Sequence, residues 1–95
     1  MTSKQRAYLM KLAQTEDAIF RFGKGEVTPE YISAIDEALA KRELIKIAVL
    51  QNCMEDPKNI AVLIAERTRS EVVQVIGKKI VLYKAAKKPK IVLPK

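Results

Sequence analysis

The chain has 95 residues, 18 Lys and Arg against 11 Asp and Glu, and a formal net charge of +7. That length holds one small domain, and 48% apolar with 31% charged residues is the composition of a folded chain. With no His and a single Cys, Cys53, it lacks the material for zinc fingers, for Ser-His-Asp or Cys-His catalysis, and for a disulfide scaffold.

Thr2 and Gln5 have capping-box spacing, which predicts a helix start. Leu9, Leu12 and Ala13 form its apolar stripe, while Lys4, Tyr8 and Lys11 fall on a different face. Ala18-Ile19-Phe20-Arg21-Phe22 reads as a short strand with Phe20 and Phe22 on one side, ended by Gly23-Lys24-Gly25. At Thr28-Pro29 an N-cap precedes a proline whose missing N–H costs nothing at the first helical position. Ile32, Ile35 and Leu39 carry that second helix to about Arg42. Leu44 to Leu50, nearly all apolar, predicts a central strand. Asp56-Pro57 repeats the cap-and-proline start, and Ile60, Leu63 and Ile64 stripe a third helix ending near Thr68. Val72–Ile76, Gly77-Lys78 and Lys79–Tyr83 then read as a β-hairpin whose Gly-x pair suits a two-residue turn.

The order αβαβαββ predicts an α/β fold with a mixed four-stranded sheet. The helices are expected to pack mainly on one face, because so short a chain has little left to cover both. Residues 1–84 are read as a single domain and 85–95 as a basic Lys/Pro-rich tail. Truncation after Lys84 is expected to leave the fold largely intact; Ile91-Val92-Leu93 is the one tail segment with the composition to dock. No stretch reaches the ~18 apolar residues of a membrane helix. Met1 to Arg6 lacks the apolar run of a signal peptide, so the chain is expected to be soluble and cytoplasmic.

Charge is unevenly placed. Lys78, Lys79, Lys84, Lys87, Lys88, Lys90 and Lys95 close the chain with no acidic residue among them, and these seven account for the whole net charge. Nucleic acid is the commonest partner of such asymmetry, since each neutralised phosphate releases counterions. A solubilising tail is the alternative reading. Gly23-Lys24-Gly25-Glu26, between a strand and a capped helix, has the makings of a phosphate cradle: glycines for close approach, a helix N-terminus and a cation. It equally has the composition of an ordinary strand-to-helix turn needing positive φ. Asp36-Glu37 and Glu55-Asp56 are explained by a solvated helix face and an N-cap, with no third metal ligand in view. Aromatics at 5% are too few for a broad base-stacking platform.

Five blocks occur in one order and spacing: Thr2 to Leu9, Phe22-Gly23-Lys24-Gly25, Ile35 to Leu39, Glu43 to Ile47 and Val75 to Tyr83. Together they resemble the YhbY family, the stand-alone bacterial form of the CRM domain (chloroplast RNA splicing and ribosome maturation), over nearly the whole chain. The resemblance implies a non-enzymatic RNA-binding domain, without cofactor, whose fold is like the C-terminal domain of a bacterial translation initiation factor. It also implies association with ribosomal RNA in precursors of the large subunit, and a strand-to-helix loop likened to the GxxG loop of KH domains. That loop is Gly23, Lys24, Gly25 and Glu26 here, with Glu26 where the family commonly has glycine. Lys4, Arg6, Lys11, Lys78 and Lys79 match as basic surface positions. The expected RNA-binding set is therefore Gly23, Lys24, Gly25, Lys4, Arg6, Lys11, Lys78 and Lys79. The rival expectation is a protein-interaction module whose tail binds an acidic protein. Oligomeric state is open to either reading.

Overall fold

Three side-chain caps set where the helices begin. Thr2 Oγ1 accepts the N–H of Gln5 at 3.1 Å while Gln5 Oε1 accepts that of Thr2 at 3.0 Å, the reciprocal box that starts α1 (Ser3–Ala13). Thr28 Oγ1 accepts from the N–H of Tyr31 at 3.1 Å ahead of α2 (Pro29–Arg42), and Asp56 Oδ1 from that of Lys58 at 2.9 Å ahead of α3 (Pro57–Thr68). The structure is a computed structural model that describes residues 1–94 apart from 24 and 26; Lys24, Glu26 and Lys95 lie outside the described residues.

The strands are β1 (Phe20–Phe22), β2 (Leu44–Val49), β3 (Glu71–Ile76) and β4 (Lys79–Tyr83), in the spatial order β1-β2-β4-β3. β1 runs parallel to β2, and β4 is antiparallel to both β2 and β3, so the sheet is mixed. β2 and β4 occupy the centre, where a strand buried on both faces needs its near-continuous apolar run. β1 is shorter than the apolar stretch predicts, although the Ile19 N–H still reaches the Lys46 carbonyl at 3.1 Å.

Two apolar layers cover the two faces of this sheet. On one face Ile35 and Leu39 of α2 and Ile60 and Ile64 of α3 bury Phe22, Ile45, Ile47, Val49, Ile80 and Leu82. The expected concentration of helices on one side holds for α2 and α3. α1 takes the other face, setting Leu9 and Ala13 against Leu44, Val73, Val81 and Tyr83, which the strand alternation turns the opposite way. Ile91 and Leu93 extend that second layer.

The tail is thus part of the packing, through Ile91 and Leu93 of the segment whose composition allowed it to dock. Its anchor is Glu43, a fully buried carboxylate at the end of α2 with φ of 63°. Glu43 Oε1 accepts the N–H groups of Lys90 at 2.5 Å and Ile91 at 3.1 Å, and Oε2 that of Ala86 at 3.2 Å. Burial alone would raise its pKa; these hydrogen bonds and the nearby Lys90 charge outweigh burial and hold the carboxyl below its ordinary value.

Gly77 opens the β3–β4 turn with φ of +55°, and a Cβ there would meet no neighbour within 4 Å. Only the backbone requires glycine, so Gly77→Ala is expected to lower stability by about 1–2 kcal/mol. A thermal melt with unshifted midpoint would refute this account of the turn.

Candidate nucleic-acid interface

The C-terminal ends of β1 and β2 lie together, and the chain leaves both into loops. Leu50 N–H donates to the Phe22 carbonyl at 2.8 Å, and Val49 N–H donates to the Lys78 carbonyl at 2.6 Å. The end of β2 therefore sits between Gly23 on one side and the hairpin tip Gly77-Lys78 on the other. Two strand spacings, ~10 Å, separate those flanks. α2 and α3 both begin at this end, with the partial positive charge of their first-turn N–H groups. Ligands of α/β sheets settle outside the carboxyl ends of parallel strands for the same reasons of access and dipole.

The positive φ expected of the glycine loop is found at one of its two glycines. The left-handed demand falls on Gly25, with φ of +124°, where a side chain would meet nothing. At Gly23 the constraint is proximity instead: a Cβ would stand 3.3 Å from both Asn52 Oδ1 and Leu50 Cδ1, a tight approach to side-chain ends of the β2–α3 loop. Beside Gly25 a crevice of about 470 Å³ runs to α3, lined by apolar Phe22, Val27, Ile60 and Leu63 and by polar Glu55, Asn59 and Arg67. Lys24 and Glu26 belong to this loop in sequence and lie outside the described residues.

Tyr31 braces the loop from below. Its ring lies 6.0 Å from that of Phe20 and 5.5 Å from that of Phe22, and its hydroxyl donates to the Arg21 carbonyl at 3.1 Å. Burial pushes its pKa up to about 12. Tyr83 is buried in the second layer, where burial and then the Glu43 charge raise its pKa. Of the tyrosines Tyr8, 38% exposed, is the most open to solvent.

The fold brings Gly23, Gly25, Lys78 and Lys79 to one end, while Lys4 and Lys11 stand exposed on α1 with Tyr8. Arg6 turns inward. Its Nη1 donates to the carbonyls of Val72 at 2.5 Å and Val73 at 2.8 Å, tying α1 to β3. Three of the four paired acids have partners within the fold: Asp36 meets Lys84 at 3.4 Å, Glu55 Oε1 accepts from Asn59 at 3.2 Å and Asp56 is a cap. Among the described residues no group of three or more His, Cys, Asp or Glu could hold a metal ion.

Two cations absent from the sequence-based set stand on the α1-side face of the sheet. Arg21 lies between Phe20 and Phe22, and Lys46 between Ile45 and Ile47, so alternation sends both away from the α2–α3 layer. The signal was present as one charge within each apolar strand, but its meaning depended on which face the helices left open.

The chain is a small mixed α/β sheet with helices on both faces, glycine-bearing loops at one end, and Lys78 and Lys79 among the described cations there. The chain belongs to the CRS1 / YhbY (CRM) domain family, which matches residues 1–84. It is similar to YqeI of Bacillus subtilis (strain 168), named a probable RNA-binding protein, at 47% identity over 90 residues, 95% of this chain and 94% of that one. An RNA-binding protein of Haemophilus influenzae is 32% identical over 95 residues, covering 100% and 96% of the two chains. The solution structure of SAV1595 from Staphylococcus aureus, a hypothetical protein described as a candidate RNA-binding protein, superposes with a TM-score of 0.83 at 48% identity, covering 99% of each chain.

Proposed function

We propose that this protein binds RNA and acts, without catalysing a reaction, in assembly of the large ribosomal subunit through backbone contacts to structured ribosomal RNA. The observation that carries the reading is the meeting of the Gly23–Gly25 loop with the Lys78-Lys79 tip across the end of β2. Backbone that approaches closely at the glycines and cations ~10 Å away can straddle a phosphodiester chain. Lys24 would supply a further charge from within the loop, and Lys4 and Lys11 would steer RNA from the outer side of α1. Family membership and the names of the relatives support RNA as the ligand. The work of such a protein lies in the cytoplasm, with the ribosome precursors.

Phosphate contacts make binding depend on salt. Affinity for a ribosomal RNA fragment is expected to fall by at least tenfold between 50 and 200 mM salt, about 1.4 kcal/mol, if even a few phosphates are neutralised. Binding that ignores salt across that range would refute the backbone model. Co-sedimentation of tagged protein with large-subunit precursors, lost after nuclease treatment, tests the cellular role. Nuclease-resistant association would favour the acidic protein partner instead.

A further inference from the structure

We propose that the α1-side face of the sheet is a second RNA-contacting surface, on which Arg21, Lys46 and Lys79 hold the sugar–phosphate backbone of a double-helical segment. This rests on the RNA-binding reading and names the form of RNA it takes.

Register places the three cations together. Arg21 pairs with Ala48, and Ala48 pairs with Lys79, so one row crosses β1, β2 and β4 on a single face. Lys46 is two residues from Ala48 on the same face, ~7 Å along β2. The row ends at Ile76, paired with Lys79 and 59% exposed. α1 packs over Leu44, Val81 and Tyr83, and its C-terminal end borders this corner. Between its last turn and the sheet lies a crevice of about 130 Å³ walled in part by Lys46, Lys79, Gln74 and Gln14.

Charge points to a polyanion. Among the described residues the one ion pair within 4 Å joins Lys84 to Asp36, so these three cations have no carboxylate partner there. Within β1–β4 the single acid on this face is Glu71, beside Tyr83 at the far end, ~13 Å from Lys79 along the strand direction. Lys46 is only half-buried but sits in a central strand, where an apolar residue would favour the sheet more. Like charges gathered on a sheet cost stability and are relieved by a ligand with several negative groups.

The form of the RNA follows from what the face lacks. Its described strand positions carry no exposed aromatic ring, so it offers splayed bases no stacking platform of the kind single strands use. Amides and cations beside a small apolar patch suit the phosphates and 2′-hydroxyls of a duplex, which is recognised by shape and backbone.

The test is binding of the full chain to a ribosomal RNA stem-loop and to a single-stranded oligonucleotide of equal length, with melts of every variant. Arg21→Gln with Lys46→Gln is expected to weaken stem-loop binding about tenfold, reduce the salt slope by roughly 0.9 per contact removed, and affect the single strand less. Should Lys46→Gln lower the melting temperature, Arg21→Gln alone, exposed on an edge strand, carries the test. Lys78→Gln reports on the loop end. Parent-like binding and slope for the sheet variants, with Lys78→Gln weakened, would overturn the sheet surface and leave the loop reading standing. Equal losses on both RNAs would overturn the duplex assignment. A parent chain that binds neither RNA would overturn the function itself.

Discussion

Removal of residues 85–95 is expected to destabilise the protein by about 2–4 kcal/mol, from lost hydrogen bonds to a charged acceptor and lost apolar cover. Glu43 is the centre of the effect: three tail N–H groups converge on its carboxylate, and Ile91 and Leu93 pack on the layer beneath α1. Glu43→Ala is expected to reproduce most of the loss in the full chain. Glu43→Gln, which keeps an acceptor without the charge, is expected to cost less. Because the folded pKa of Glu43 is depressed, its contribution is fully present above the ordinary value of 4.5 and disappears as pH falls through the lower folded value. Melting temperature measured from pH 7 downwards is therefore expected to drop below pH ~4.5 in the parent, and to drop less in Glu43→Gln. A truncated chain that melts like the parent would show the tail docking to be energetically empty.

Arg6→Ala is expected to cost about 2–3 kcal/mol, measured as a shift of the denaturant midpoint at unchanged slope. The β3–β4 register slips between Val72 and Gln74, leaving Val73 outside the pairing. The guanidinium of Arg6 meets the Val72 and Val73 carbonyls at that bulge. Arg6→Lys keeps the charge but replaces the planar fork with a flexible ammonium, so it is expected to recover only part of the stability. The pair of variants separates two roles at one position. If Arg6→Lys is destabilised yet binds RNA like the parent, Arg6 acts on the fold; a parent-like midpoint for Arg6→Ala would leave it no structural role.

What was legible in the sequence was whatever a few neighbouring residues decide. The Thr2–Gln5 box and the Thr28-Pro29 and Asp56-Pro57 starts are interactions across two or three residues, and each stands where its spacing placed it. The β3–β4 hairpin is equally local, because Gly77 supplies the positive φ its turn needs. The family blocks carried the fold class with them. The glycine loop could be placed between a strand and a helix, but not which glycine bears the strain: Gly25 does, while Gly23 is confined by Asn52 and Leu50 from another loop.

Tertiary structure alone decided everything that depends on pairing between distant segments. β4 enters between β2 and β3, and only that order puts Lys79 in a row with Arg21, 58 positions earlier in the numbering, and brings the hairpin tip to Gly23. Arg6 reads as a surface cation until α1 lies across the bulge in β3. Glu43 reads as a helix-end acid until a tail 43 to 48 residues onward folds back to donate its N–H groups. Alternation along a strand assigns side chains to two faces, but whether a face is core or open surface depends on which helices cover it. Helix caps and turns arise from short-range sterics and hydrogen bonds, whereas the exposure of a charge depends on the burial of apolar area across the whole chain.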